Sequence, residues 1–149
     1  MNVSELMTAK IRTCPIDDNL DKVAQVMSEH DCGCVPLVDD AGRVTGIVTD
    51  RDSCLAAYNR GQPLSQIPAT YAAARDVVTV RADDTVERAE ALMRQHEVRR
   101  LPVVDDQGRP IGLLSIDDLV HGVHVEHHES GLTADTVVLT LAAIGEVRG

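Results

Sequence analysis

Phenylalanine and tryptophan are missing from this sequence, and tyrosine occurs only as Tyr58 and Tyr71. A protein that holds single-stranded nucleic acid needs aromatic faces for the bases to stack on, and this chain cannot supply them. Basic residues are also scarce: 14 Lys and Arg stand against 24 Asp and Glu, a formal charge of −10. That excludes an overall basic footprint for a phosphate backbone. No stretch approaches the ~18 consecutive apolar residues of a membrane-spanning helix. The opening MNVSELMTAKIRT has no basic start leading into an apolar run, so no signal peptide is expected. Cysteine is limited to Cys14, Cys32, Cys34 and Cys54. Without a secretory signal these are expected to be reduced thiols, and the default compartment is the cytoplasm.

What is present is aliphatic and repetitive. Of 149 residues, 44% are hydrophobic, too many for a disordered acidic tail and enough for a core without metals or disulfides. Shifting the chain by 66 residues lays 3–52 on 69–118 without a gap, and 13 of those 50 positions are identical. They include Thr13/Thr79, Asp17/Asp83, Asp18/Asp84, His30/His96, Pro36/Pro102, Gly42/Gly108, Gly46/Gly112 and Asp52/Asp118. A gapless match that shares turn residues indicates an internal duplication.

Each copy spells the same elements. Ile11–Cys14 and Val77–Val80 are β-prone. Two aspartates follow, and the second, Asp18 or Asp84, suits a helix N-cap. Apolar residues at helical spacing predict helices over about 19–30 and 85–96, with Leu20, Val23, Ala24 and Met27, then Val86, Ala89, Leu92 and Met93, facing inward. A hairpin turning at Asp-Asp-x-Gly follows, with return strands over 43–49 and 109–115. Second helices begin near Asp50 and Ile116. The expected fold is α+β: two β-α-β-β-α units packed through their sheets, plus a C-terminal helix. The boundaries are 1–62, 63–128 and 129–149, with 59–69 as the connector. The tail, about 132–147, is expected to carry Val137, Leu141 and Ile144 in one stripe.

The pattern Thr-x3-Asp-Asp, helix, Val-Pro-Leu-Val or Leu-Pro-Val-Val, Asp-Asp-x-Gly-Arg, then Gly-h-h-Thr/Ser-x-x-Asp resembles the CBS domain, present twice as a CBS pair over about 1–122. Cys32-Gly-Cys-Val-Pro with Thr-Asp-Arg-Asp is similar to the stand-alone bacterial members. The resemblance implies a non-catalytic regulatory module that binds AMP, ADP, ATP or S-adenosylmethionine in clefts between repeats, as a homodimer, with no required cofactor and a protein partner it does not name.

The same resemblance makes Thr49 and Asp52, and Ser115 and Asp118, ribose and phosphate contacts. A carboxylate at a helix start can accept from both ribose hydroxyls, and the free N–H groups there suit phosphate. Thr49-x-x-Asp52 and Ser115-x-x-Asp118 are equally capping boxes, worth about 1 kcal/mol with no ligand. Thr13 and Thr79 are implied to line a base pocket, or serve as ordinary strand residues. Arg99 and Arg100, near Arg94 and Glu97, are implied to reach phosphates, or to protect an edge strand. The first copy has Gly33 and Cys34 there, so the two sites differ. His30 and His96 suit helix C-termini. His121, His124 and His128 share a helical face that can hold Zn²⁺ or Ni²⁺, beside His127, Glu126 and Glu129, although no metal is expected. Cys32-x-Cys34 is not a C-x-x-C motif. No nucleophile–base set is evident, so catalysis is not expected. The alternatives are an interaction module without a small ligand and a metal-responsive protein using the His121–His128 cluster.

Overall fold

The computed structural model describes residues 1–125 and 133–146. The elements run α1 (Val3–Leu6), β1 (Thr8–Ala9), β2 (Cys14–Pro15), α2 (Leu20–His30), β3 (Cys34–Val38), β4 (Val44–Thr49), α3 (Asp50–Arg60), a 3₁₀ turn (Leu64–Gln66), α4 (Ala69–Ala72), β5 (Val80–Arg81), α5 (Val86–His96), β6 (Arg100–Val104), β7 (Pro110–Ser115), α6 (Ile116–Val125) and α7 (Ala134–Glu146). They form a three-stranded sheet in the order β2-β3-β4 and a four-stranded sheet in the order β1-β7-β6-β5. The class is α+β with a C-terminal helix.

The chain divides into two units. One comprises 11–77 with 107–110, and the other 1–10, 78–106 and 111–149. Residues 1–10 join the unit of the second repeat through hydrogen bonds. The N–H groups of Val3 and Ser4 donate to the carbonyls of Asp84 and Ala82, both at 2.9 Å. β1 then pairs antiparallel with β7.

In the first-repeat unit β2 runs parallel to β3, with Cys14 opposite Leu37. β3 pairs antiparallel with β4, with Cys34 opposite Thr49. The hairpin turn is built by Asp39, whose Oδ1 accepts the N–H groups of Ala41 (3.0 Å) and Arg43 (2.9 Å). Gly42 sits at φ +80°, which only glycine adopts without strain. The N–H of Arg43, and then its guanidinium, holds the Asp39 carboxyl below the usual range. α2 lays Leu20 and Val23 onto Val35, Leu37, Val48 and Ile67, all fully buried. In the second-repeat unit Val86, Ala89 and Met93 of α5 pack on Leu101, Val103, Leu114 and Leu119. Both cores are aliphatic, as the absence of Phe and Trp requires.

Four expectations shift. The N-caps are Asn19 and Thr85 rather than Asp18 and Asp84. Asp84 is already engaged, accepting the N–H of Arg81 at 2.9 Å, and Thr85 takes over by accepting the N–H of Arg88 at 3.2 Å. The β-prone runs pair only at their ends, so Thr13 and Thr79 each lie one residue before a strand. The connector is not plain loop: α3 reaches Arg60, and the 3₁₀ turn and α4 fill much of the rest. In α7 the buried stripe is Val137, Thr140 and Ile144, while Leu141 is 39% exposed.

Candidate functional site

β4 and β7 each end on a hydroxyl residue that starts a helix. Thr49 caps α3 with extended backbone (φ −102°, ψ 163°). Its N–H donates to Asp52 Oδ2 at 2.9 Å, and the N–H of Asp52 returns a bond to Thr49 Oγ1 at 3.2 Å. The second copy repeats this with one addition. Asp118 Oδ2 accepts both the N–H and the hydroxyl of Ser115, each at 2.7 Å, and the N–H of Asp118 donates to Ser115 Oγ at 3.2 Å. The capping boxes are therefore formed in full. They use only Oδ2, and among the described residues neither Oδ1 has a hydrogen-bond partner. All four side chains are half-buried, so solvent or a ligand can reach them.

Arg99 and Arg100 are brought to the second of these caps. The carbonyl of Arg99 accepts the N–H of Ile116 at 2.9 Å, which sets the start of β6 beside the start of α6. Gly33 does the same for Asp50 at 3.1 Å in the first copy, without a side chain to offer. Two adjacent cationic residues therefore stand beside the second cap, where the first has Gly33 and Cys34 and carries its cation, Arg51, within the box itself. Thr79 precedes Val80, which pairs with Val103, so Thr79 lies level with Pro102 and two residues from Arg100.

A cavity of about 250 Å³ lies within the first-repeat unit, lined by Ile16, Leu37, Thr45, Gly46, Thr70, Ala73 and Arg75. Sequence reasoning missed it because it counted Thr70–Arg75 with the second repeat, whereas the fold places them in the unit of the first. Two backbone bonds hold this segment to β4: Ile47 N–H to Ala74 O at 3.2 Å and Ala74 N–H to Ile47 O at 3.0 Å. Thr45 Oγ1 is buried there with no partner among the described residues. A buried hydroxyl left unpaired costs about 1–3 kcal/mol, which a bound polar atom would recover. The cavity and the Thr49 cap share one strand, since Thr45 and Gly46 stand three to four residues before Thr49 on β4, about 10–13 Å along it.

Metal chemistry finds less. His121 closes onto its own helix, with Nδ1 2.8 Å from the carbonyl of Asp117. The side chain of His124 and the whole of His127 and His128 lie outside the described residues. Among the described residues no three His, Cys, Asp or Glu side chains group as a metal site. The four cysteines form no disulfide.

The CBS domain family model matches residues 3–52 and 69–125, one match per repeat. The chain belongs to the CBS-domain family. The CBS domain-containing protein YhcV of Bacillus subtilis is 32% identical over 133 residues, which cover 89% of this chain and 93% of YhcV. Among solved structures, Hypoxic Response Protein I, determined with two coordinated zinc ions, aligns with TM-score 0.72 and 27% identity, over 81% of this CBS pair and 98% of its own chain. CBSX2, determined in complex with AMP, aligns with TM-score 0.69 over 81% of this chain and 94% of its own. At 24% identity the second likeness speaks for the fold alone. No described helix of this CBS pair is long and apolar enough to cross a membrane.

Proposed function

We propose that this CBS pair is a non-catalytic regulatory module that binds an adenosine-containing ligand, AMP, ADP, ATP or S-adenosylmethionine, and passes the binding on through a homodimer to a protein partner. The observation that carries the reading is the spare Oδ1 on both Asp52 and Asp118. Each carboxylate is held at a helix start by a bond to its other oxygen, which orients it without saturating it. A ribose diol needs such a fixed acceptor, and the hydroxyls of Thr49 and Ser115 lie beside it. Arg99 and Arg100 offset the −10 surface for a phosphate at the second cap. Thr13 and the cavity around Thr45 are assigned to the base side of a ligand at the first cap, and Thr79 to the base side of one at the second. Unbridged thiols fit a cytoplasmic protein.

A thermal-shift panel of AMP, ADP, ATP and S-adenosylmethionine, with and without Mg²⁺, tests this. A ligand at 100 times its Kd adds about 2.7 kcal/mol, which for a chain of this length raises Tm by roughly 5–10 °C. Asp52→Asn with Asp118→Asn keeps one capping oxygen in each box and is expected to abolish the shift. Unshifted melting across the panel sinks the reading and leaves the capping boxes as purely structural, which is the interaction-module alternative. A shift with Zn²⁺ alone favours the metal-responsive one.

A further inference from the structure

The duplication sets the same backbone pairing around two different side chains. In the second-repeat unit β1 pairs with β7, with Thr8 opposite Leu113 and Ala9 opposite Gly112. In the first-repeat unit the segment 66 residues later pairs in the same way, with Ala74 opposite Ile47. Met7 and Ala73 are therefore counterparts, as are Gly112 and Gly46. Met7 packs against the core of its own unit. A Cβ placed on Gly112 would come within 2.6 Å of Met7 Sδ, so the methionine fills the space that this glycine leaves. A Cβ placed on Gly46 would meet the Cβ of Ala73 first, at 3.2 Å. The side chain of Ala73 ends there, and both residues line the cavity of about 250 Å³.

The polar lining changes as well. Thr45 is the extra residue of a bulge, since Gly46 stands opposite Leu37 and Val44 opposite Val38. A bulge re-aims the side chain it carries, and the Thr45 hydroxyl is buried with no partner among the described residues. In the second repeat its counterpart is Ile111. Arg75 becomes Ala9, and only Thr70 keeps a hydroxyl, as Ser4. A purine base needs apolar space with a hydrogen-bonding group at its edge. The first unit offers both, while the second has a methionine in the space and an isoleucine at the edge. We propose that Met7 closes the base side of the second site, so that a ligand's base enters the first unit freely and the second only by displacing Met7. The proposal rests on the reading of Asp52 and Asp118 as ribose contacts, and it names the residue that makes their two sites unequal. An unbranched methionine can move aside. Taking its partly buried side chain from its neighbours weakens binding by roughly ten-fold.

Titration calorimetry of the full chain with AMP, ADP, ATP and S-adenosylmethionine in turn tests each site by itself. With Asp52→Asn only the second cap is left to bind. Adding Met7→Ala is then expected to tighten binding roughly ten-fold, or to restore it where none is measured. With Asp118→Asn only the first cap is left, and adding Ala73→Met is expected to weaken binding at least as much. This second swap adds a side chain where there is room for it, so it decides the matter should Met7→Ala fail to fold. A dissociation constant that either folded swap leaves unmoved, or binding confined to the Asp118 cap, overturns the role of Met7 and leaves the ligand reading standing. No binding of any of the four to the wild type overturns both.

Discussion

Two thiols in the same unit differ in chemistry because of where the backbone puts them. Cys14 is 2% exposed on β2, and burial first, then the nearby Asp18 and Cys32, pushes its thiol up to about 11. At pH 8 it is almost wholly protonated, and the thiolate is the nucleophile. Cys54 faces solvent. Alkylation of the folded protein with iodoacetamide at pH 8, read by peptide mass spectrometry, is expected to modify Cys54 within minutes and Cys14 only after denaturation. Early labelling of Cys14 would contradict its placement. Other residue-scale features were legible without coordinates. Thr49-x-x-Asp52 and Ser115-x-x-Asp118 are local patterns, and both form the boxes their spacing suggests. The shift of the α2 cap to Asn19 was not legible, because a long-range bond intervenes. The Asn19 side chain donates to the carbonyl of Ser65 at 2.8 Å, 46 residues away, and no window of local sequence contains that contact.

At the scale of elements, α7 shows what periodicity can and cannot decide. Its existence and extent follow from the pattern 132–147, and the structure gives Ala134–Glu146. Its rotation does not, since a helix with apolar residues on both sides fits two orientations. The polar partners choose: Arg94 draws Thr140 inward, and Leu141 turns out. Glu90 was invisible for a related reason, because a carboxylate at an inward helical position looks like a solvated residue until something covers it. It is 2% exposed, and one of its oxygens has no partner among the described residues. Burial raises its affinity for a proton. Thr136 and then Arg94 pull the other way, and Glu87 adds a smaller push upward. The folded state therefore keeps this proton to higher pH than the unfolded chain does. The stability gained from a neutral Glu90 is complete below the ordinary glutamate range and is lost as pH rises through the raised value. Glu90→Gln removes that dependence. The difference in Tm between variant and wild type is expected to favour the variant increasingly from pH 4 to pH 8, with stronger hydrogen-exchange protection of 134–146 at the upper end. A difference independent of pH would show that Glu90 is not buried against α7.

At the scale of the whole molecule, the duplication was the most legible feature, because shared turn and cap residues survive at a fixed spacing of 66. Less legible was the way 1–10 and 107–110 distribute between the two units. That follows from backbone bonds such as Val3 N–H to Asp84 O and Val44 N–H to Gly108 O, which carry no side-chain signature. The aromatic deficit has a last consequence. Tyr58 is 84% exposed, and Tyr71, 47% exposed, has the Arg60 guanidinium 4.7 Å above its ring. Both rings already sit in or near water, so heat or urea should leave the ultraviolet emission and the near-ultraviolet dichroism almost unchanged while the far-ultraviolet signal collapses. A large emission change on melting would mean that a tyrosine is covered, and the surface nearest to both rings would then be the place to look for what covers it. The native molecule has no indole, and a single tryptophan introduced at exposed Cys54 on α3 would be its only one, free to report on whatever covers that helix.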